Sequence, residues 1–510
     1  MNICLLYPYD KETAGDYDSE PHLGLAYIAS SLIANGHNVE IYDCMEMNLS
    51  LSDLFNILSE KTFDAIGMAT FYINHAFVFR TASFLKKKNK NTFIFIGGYL
   101  PTLNYKNMHR DFDYIDCMVI GEGEITTCKI IDGINDSSWK KTKGIVYLEN
   151  GKLIYTGKCE AENNLDLLSF PLRTKPYRKE MRIITTRGCY GKCSYCSFYS
   201  MLESCNVKRI RRRSPENVVC EIEEIIQATK ANCIRINDDN FALVSQKDRE
   251  WFQRFNQLIQ EKNINVKFHI LMRADDILRT GHLLEEFKQI GLASIFVGIE
   301  SFLQKHLDFY NKRIKVEENL KALAVLDDLN IAYEIGFLLY NPITTIDDIL
   351  QTVRIIKDTE LNKKNKNILR PISVSSVIAY HGTDLYEYTH KNNIFSKNRR
   401  GYIIQDEKAE ACLEVMTYWS QKYDPIIEKR NLYTKAVQAE NNSVIHEIKL
   451  INFKLFYLDI DFLEEVAKII AQHNIEHFKQ NKEFYLELVE QWALKVNDLY
   501  NEIIYLEKQL

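Results

Sequence analysis

The chain has 510 residues, 46% of them hydrophobic and 26% charged, which is ordinary globular composition with length for about three domains. A net charge of −5 argues against a dedicated nucleic-acid binder. Twelve cysteines in so long a chain are no disulfide scaffold; they fit a reducing compartment and a cytoplasmic location.

The first apolar run ends at Tyr7 and Pro8. It is too short for a signal-peptide core and reads as a buried strand. No apolar run reaches the roughly 18 residues of a membrane span, so no membrane association is expected. Short apolar runs at 3–7, 39–42, 65–69, 92–96 and 117–120 alternate with helical patterns, notably 23–34 and 76–88. Strand–helix alternation predicts a Rossmann-like parallel sheet with helices on both faces, here over 1–140. Gly97-Gly98 and Gly121-Glu122-Gly123 close two of the strands, where ligands of such sheets bind and where glycine admits close approach.

A connector, 141–180, follows. Asn150-Gly151 between apolar runs 144–148 and 152–155 is a strong hairpin signal, and Pro171 and Pro176 then interrupt the chain. Residues 181–390 repeat strand–helix units. Strands are expected at 182–186, 233–237, 267–271, 294–298, 332–339 and 373–379, with helices at 215–228, 246–260, 281–290, 316–329 and 345–359. Six strands with right-handed crossovers would give a partial (β/α)6 barrel whose active groups sit on the carboxyl-end loops. Residues 391–510 have helical apolar spacing and read as an all-helical cap. The fold class is α/β with this helical addition.

The most informative segment is Thr-Thr-Arg-Gly-Cys189-Tyr-Gly-Lys-Cys193-Ser-Tyr-Cys196. Three thiolates on one tight loop can hold three irons of a [4Fe–4S] cubane and leave the fourth open, whereas electron-transfer centres supply four cysteines. Zinc is the competing reading; a structural zinc site wants four closed ligands, and Cys205 is the one further Cys or His within ten residues of Cys196.

This Cys-x3-Cys-x2-Cys pattern, with an aromatic before the last cysteine, resembles the radical S-adenosylmethionine (SAM) superfamily. The likeness continues through the 208–219 segment, Ile236–Phe241, Met272-Arg273-Ala274-Asp275, Val297–Ser301 and Ala379–Tyr386. It implies a cluster on Cys189, Cys193 and Cys196 that binds SAM and cleaves it to a 5′-deoxyadenosyl radical. An external electron donor such as flavodoxin or ferredoxin would feed it. Tyr195, Asp238, Asp239, Arg273, Glu300 and Ser301 are then the SAM-binding candidates. Each has a plainer reading: Asp238, Asp239 or Asn240 as a helix N-cap, Arg273 in a salt bridge, the Glu300-Ser301 pair as a cap, Tyr195 as a shield.

Residues 1–125 resemble the cobalamin-binding domain fused to many radical SAM enzymes, through Pro21–Ala29, Ile96–Thr102 and Val119–Glu124. That likeness makes Gly24, Gly97, Gly98, Thr102, Gly121, Glu122 and Gly123 cobalamin candidates. No Asp-x-His-x-x-Gly occurs in residues 1–150, so no lower cobalt ligand is named, and His22 reads as a helix-entry residue. A Rossmann-like scaffold that has lost its cofactor stands beside this reading.

The basic run 208–213 reads as a solvated loop, as arginines closing over the cluster, or as a contact for RNA phosphates; the net charge favours the first two. Tyr340, Asn341, Tyr380 and Thr383 are substrate candidates, suited to a polar small molecule held between barrel, first domain and cap. The reaction is left open: methylation through methylcobalamin is one outcome. Cobalamin-independent dehydration, epimerisation or rearrangement is the alternative, and a non-catalytic iron–sulfur or cobalamin sensor is a third reading.

Overall fold

The computed structural model describes residues 1–9, 22–173, 180–243, 245–368, 371–428 and 442–508. Pro21 and Pro176 lie outside them.

The first sheet joins β1 (Asn2–Tyr7), β2 (Asn38–Asp43), β3 (Ala65–Ala69), β4 (Phe93–Gly97), β5 (Cys117–Val119), β6 (Ile145–Glu149) and β7 (Lys152–Tyr155) in the order β2-β1-β3-β4-β5-β6-β7. Strands β1 to β5 are parallel. Alternate residues feed two cores. Ile3 and Leu5 pack with Leu25 and Leu32 of helix Leu23–Ala34. Cys4 and Leu6 pack with Leu54 and Val78 of helices Leu51–Glu60 and His75–Lys88 on the other face. Strand β6 pairs antiparallel with β5, so the hairpin extends the first sheet. Asn150 and Gly151 both take positive φ, 50° and 74°, as its two-residue turn requires.

The second sheet begins with β8 (Glu180–Ile183). A two-stranded ribbon, β9 (Thr186–Arg187) and β10 (Arg211–Arg212), frames the cysteine loop. Then β11 (Cys233–Ile236), β12 (Lys267–Arg273), β13 (Leu292–Glu300) and β14 (Ala332–Phe337) complete a parallel sheet, order β14-β13-β12-β11-β8. Its helices start where local chemistry predicts. Ser214 caps Pro215–Thr229 with proline at the first turn, and Thr345–Asp348 forms a capping box for Ile346–Asp358. The helix expected at 281–290 begins earlier, at Ala274, directly off β12. Asp275 and Asp276 complement its N-terminus, and Gly281 is carried inside it.

Among the described residues the sheet has five strands rather than the six expected. The 373–379 segment touches it through one parallel bridge, Tyr340 to Ser376. The Ser373 amide and hydroxyl donate instead to the buried carboxylate of Asp459, and the Ala379 amide donates to the Arg400 carbonyl. Asp459 belongs to helix Asn442–Gln472, which is followed by Ile475–Gln480 and Lys482–Glu507 and preceded by Glu407–Glu428. Trp419, Phe462 and Val466 share one continuous core with Ile349, Val353 and Ile356 of the barrel. These helices therefore pack on the barrel helix Ile346–Asp358.

Asp459 is the pin. It also accepts from Trp419 Nε1 at 3.1 Å, so Asp459→Ala should cost about 3 kcal/mol by stranding buried donors, read as a lowered denaturation midpoint. Burial pushes its carboxyl up to about 6 against the pull of Ser373 and Trp419. A folded value above the unfolded one, about 4, stabilises on the acid side and is lost as pH rises through the folded value. Wild type should lose stability relative to Asp459→Asn between roughly pH 4 and pH 6; parallel profiles would refute the assignment.

Candidate active site between the two sheets

The cysteine loop is built by close backbone packing. Gly188 has φ 116°, and a Cβ there would overlap the Arg209 carbonyl oxygen, so only glycine lets the following basic segment lie against the loop. Arg209 then clamps it. Its Nε donates to the Cys189 carbonyl at 2.9 Å and its Nη2 to the Tyr190 and Gly191 carbonyls at 3.2 and 2.6 Å. Cys189, Cys193 and Cys196 are half-buried. Burial pushes the Cys196 thiol up to about 11, and the charges of Cys193 and Cys189 add to it. An all-sulfur donor set fits iron–sulfur ligation.

The strand-end candidates divide. Asp238 accepts from the Thr185 and Thr186 amides at 2.7 and 3.0 Å and is consumed in holding the chain that enters the loop. Asn240 accepts from the Arg273 amide and donates to Asp276. Asp239 keeps its carboxylate facing open space, with one contact at 3.3 Å to the Gly188 amide; burial, with Asp238 adding to it, pushes it up to about 7. Arg273 is bound to Asp275 at 2.9 Å, to the Tyr190 hydroxyl at 3.1 Å and to the Lys312 carbonyl at 2.8 Å, with Nη1 4.0 Å from Cys193 Sγ. It is thus a cation fixed beside the thiols. Glu300 has φ 64° at the end of β13 and pairs with Lys312 at 2.7 Å. Tyr195 packs edge-on against Tyr310 and its hydroxyl proton is held by burial and by the Glu300 charge. Ser301 is buried, accepting from the Leu303 amide away from the cysteines.

A cavity of about 370 Å³ opens between the carboxyl ends of the first sheet and the cysteine loop. Gly24, Gly97, Gly98, Gly121, Glu122 and Gly123 line it from one side, Asp239 and Phe198 from the other; Thr102 lies behind it, accepting from the Gly121 amide at 3.0 Å. Gly121 is required by packing rather than by an open approach: a Cβ there would lie 2.5 Å from Cys205 Sγ and 2.7 Å from Cys159 Sγ. Phe71 and Tyr99 give the cavity flat apolar walls. His22 also lines it. Apolar walls, glycines along the strand ends and a position between two domains fit a cobalt macrocycle.

Buried ion pairs lock this interface. Arg187 reaches Glu122 at 2.7 Å and Glu124 at 2.6 Å, and Arg211 pairs with Glu122 as well. Burial alone would raise the Glu124 carboxyl, but the Arg187 guanidinium holds it below its ordinary value. The other arginines of the basic run are engaged too: Arg212 with Asp248 at 2.9 Å and Arg213 with Glu221 at 2.5 Å.

The substrate candidates lie elsewhere. Tyr340 and Asn341 are fully buried, Asn341 donating to the Tyr310 hydroxyl at 3.0 Å. Thr383 caps helix Asp384–Lys391, and the Tyr380 ring packs tilted against Tyr72 of the first domain, centroids 4.9 Å apart. The sequence reading missed the polar face of the second sheet. Met181, Ile183, Ile234 and Ile236 are buried against the helices, so the alternating residues Glu180, Arg182, Cys233 and Arg235 fall on the opposite face, with His269 in register beside Arg235. Parallel strands buried on both faces read as continuous apolar runs; the charge at every second position was the signal. Glu180, Cys233 and His269 bring donor atoms within 4.8 Å of one another. Arg235, however, occupies both Glu180 oxygens, and burial and the Arg235 charge hold His269 down to about 4, so no metal is assigned there.

The family description "Radical SAM superfamily" matches residues 183–356, and "B12 binding domain" matches residues 16–131. The chain therefore carries a radical SAM domain preceded by a B12-binding domain. Its cofactors are accordingly a [4Fe–4S] cluster, SAM and cobalamin. The chain is 26% identical to an uncharacterised methyltransferase of Pyrococcus horikoshii, over 76% of this chain and 82% of that one. It is 24% identical to the hopanoid C-3 methylase of Methylococcus capsulatus, over 89% and 84%. The fold matches the cobalamin-dependent SAM radical enzyme OxsB with aqua-cobalamin and SAM bound, at TM-score 0.74 and 16% identity, over 99% of this chain and 80% of that one. No helix among the described residues is long and apolar enough to cross a membrane.

The lock predicts a graded response. Glu122→Gln leaves Arg211, whose side chain has 0% exposure, without its counter-charge. It should cost about 3–5 kcal/mol. Glu160→Gln, in the exposed pair with Lys129, should cost less than about 1 kcal/mol. Equal melting temperatures for the two variants would contradict the lock.

Proposed function

We propose that this enzyme transfers a methyl group to a carbon of a polar small molecule, with Cys189, Cys193 and Cys196 holding the cluster. The observation that carries the reading is a cavity that meets the strand ends of the first sheet and, through Asp239 and Phe198, the surroundings of the cysteine loop. When bound, the cluster supplies the electron that cleaves SAM, and cobalamin supplies a methyl carrier. The chain's own groups do the rest. Asp239 offers a carboxylate acceptor for the SAM ammonium, Glu300 an acceptor for ribose hydroxyls, and Tyr195 an aromatic wall beside the cluster. Arg273 adds a fixed positive charge beside Cys193, which favours the anionic thiolates. The charged inner face, with Arg182, Arg235 and Glu180, suits a polar substrate.

Methylation is favoured by the relatives named methyltransferase and methylase. A second reading, a radical transformation without methyl transfer, draws on the 24% identity to the anaerobic magnesium-protoporphyrin IX monomethyl ester cyclase of Rubrivivax gelatinosus, over 73% of this chain and 68% of that one. Turnover with methyl-deuterated SAM separates the two: a product carrying the label supports methylation, and an unlabelled product with 5′-deoxyadenosine supports the second.

Anaerobically reconstituted protein should carry about four irons per chain. Replacing Cys189, Cys193 and Cys196 with alanine should abolish both iron and 5′-deoxyadenosine; wild type holding zinc and no iron would refute the cluster. Asp239→Asn should weaken SAM binding by about tenfold, the worth of one charge-assisted hydrogen bond, with iron content unchanged. An unaltered dissociation constant would remove Asp239 from the SAM site.

A further inference from the structure

The chain that follows β7 returns to meet the segment leaving the cysteine loop. The two join through one isolated parallel bridge, Cys159 to Cys205. The Cys159 amide donates to the Ser204 carbonyl at 3.1 Å, and the Asn206 amide donates to the Cys159 carbonyl at 3.0 Å. Strands paired in this way lie about 4.8 Å apart, inside the Cα separation of roughly 4.4–6.8 Å that a disulfide spans. Both side chains fall on the same side of the bridge, where the Cys159 thiol donates to Cys205 Sγ at 2.7 Å. Two glycines make room for the pair. Gly121 and Gly144 have φ 84° and 79°; a Cβ on the first would press on both sulfurs, and one on the second would overlap Cys159 Cβ.

The two thiols are chemically unequal. Burial pushes lone packed thiols such as Cys4 and Cys117 up. Cys205 moves the other way, below the ordinary thiol range, because the Cys159 thiol and the Glu122 amide, at 3.3 Å, both donate to its sulfur. The thiolate is the attacking form in disulfide exchange. Cys205 also keeps 5% exposure against 0% for Cys159. Cys205 is thus placed to attack and Cys159 to resolve.

We propose that Cys159 and Cys205 are a redox modification site, oxidised to a disulfide by a small disulfide of the glutathione class. The Cys205 thiolate attacks one sulfur of the oxidant and displaces the first small thiolate, which takes up the Cys159 proton. Cys159 then attacks the Cys205 sulfur and expels the second small thiolate, which takes its proton from water. The protein loses two electrons, and the oxidant is reduced to two thiols. The new bond closes a loop between positions 46 apart. It fastens the connector to the segment beyond the cysteine loop, directly beneath the Gly121-Glu122 turn that lines the cavity.

The test uses full-length protein loaded with its cluster and held anaerobically in glutathione buffers of graded oxidised-to-reduced ratio. Samples are quenched in acid, alkylated under denaturing conditions, digested and read by mass spectrometry. A peptide linking Cys159 to Cys205 should appear and grow with the ratio, and dithiothreitol should remove it. Oxidised wild type should melt a few degrees above reduced wild type, because the link restricts the unfolded chain. Cys159→Ser should melt alike in both buffers, whereas Cys220→Ser, which removes an exposed thiol, should keep both the link and the shift. The peptide is assigned in wild type, so the result stands even where Cys159→Ser fails to fold. Cys159 and Cys205 recovered as alkylated thiols or as separate glutathione adducts at the highest ratio overturn the proposal. Equal melting of oxidised and reduced wild type overturns it as well.

Discussion

The active-site region depends on four charged side chains that no solvent shields. Glu122 and Glu124 sit on the turn that ends the fifth strand of the first sheet, and Arg187 and Arg211 flank the cysteine loop of the second. Taking such charges out of water is costly, and their attraction offsets that cost only when geometry is good and every partner is present. The arrangement is a weak source of stability and a strong source of position. It ties the strand ends that line the cavity to the loop that carries the cysteines. A displacement on either side leaves a buried charge exposed to an apolar environment.

The same logic accounts for the rest of the basic segment. Read alone, 208–213 is a candidate for phosphate contacts. In the fold, Arg209 satisfies three loop carbonyls, Arg211 joins the lock, and Arg212 and Arg213 tie to Asp248 and Glu221. The arginines are structural cations whose partners lie far away in sequence. Arg273 is a related case. Its position after β12 was visible, but its engagement with Asp275, Tyr190 and the Lys312 carbonyl was not.

Much of the architecture was legible because its signals are local. Short apolar runs and helical spacing marked the strands and most helices, and Asn150-Gly151 marked the hairpin. The cysteine spacing pointed to the cluster chemistry directly. What escaped were long-range choices. The 373–379 segment has strand-like apolar content, yet Ser373 turns to Asp459, some 86 positions later. The apolar spacing of the C-terminal segment said that its helices pack, but not on what. Tyr340 and Asn341 looked like polar site groups; burial and pairing with Cys412 and Tyr310 make them core. For Asp238, Asp239 and Asn240 the chain offered three candidates for two jobs, and only tertiary hydrogen bonds distinguish the carboxylate left facing the cavity.

The second sheet separates two kinds of position within single strands. In β8 and β11, Met181, Ile183, Ile234 and Ile236 face the helices, while Glu180, Arg182, Cys233 and Arg235 face the interior. Adjacent codons therefore answer to different selective pressures. Changes at one set of positions would be purged for their effect on packing. Changes at the other alter the charge and shape of the chamber and leave the scaffold intact. A lineage built on this sheet can drift to new substrates one residue at a time without crossing an unfolded intermediate.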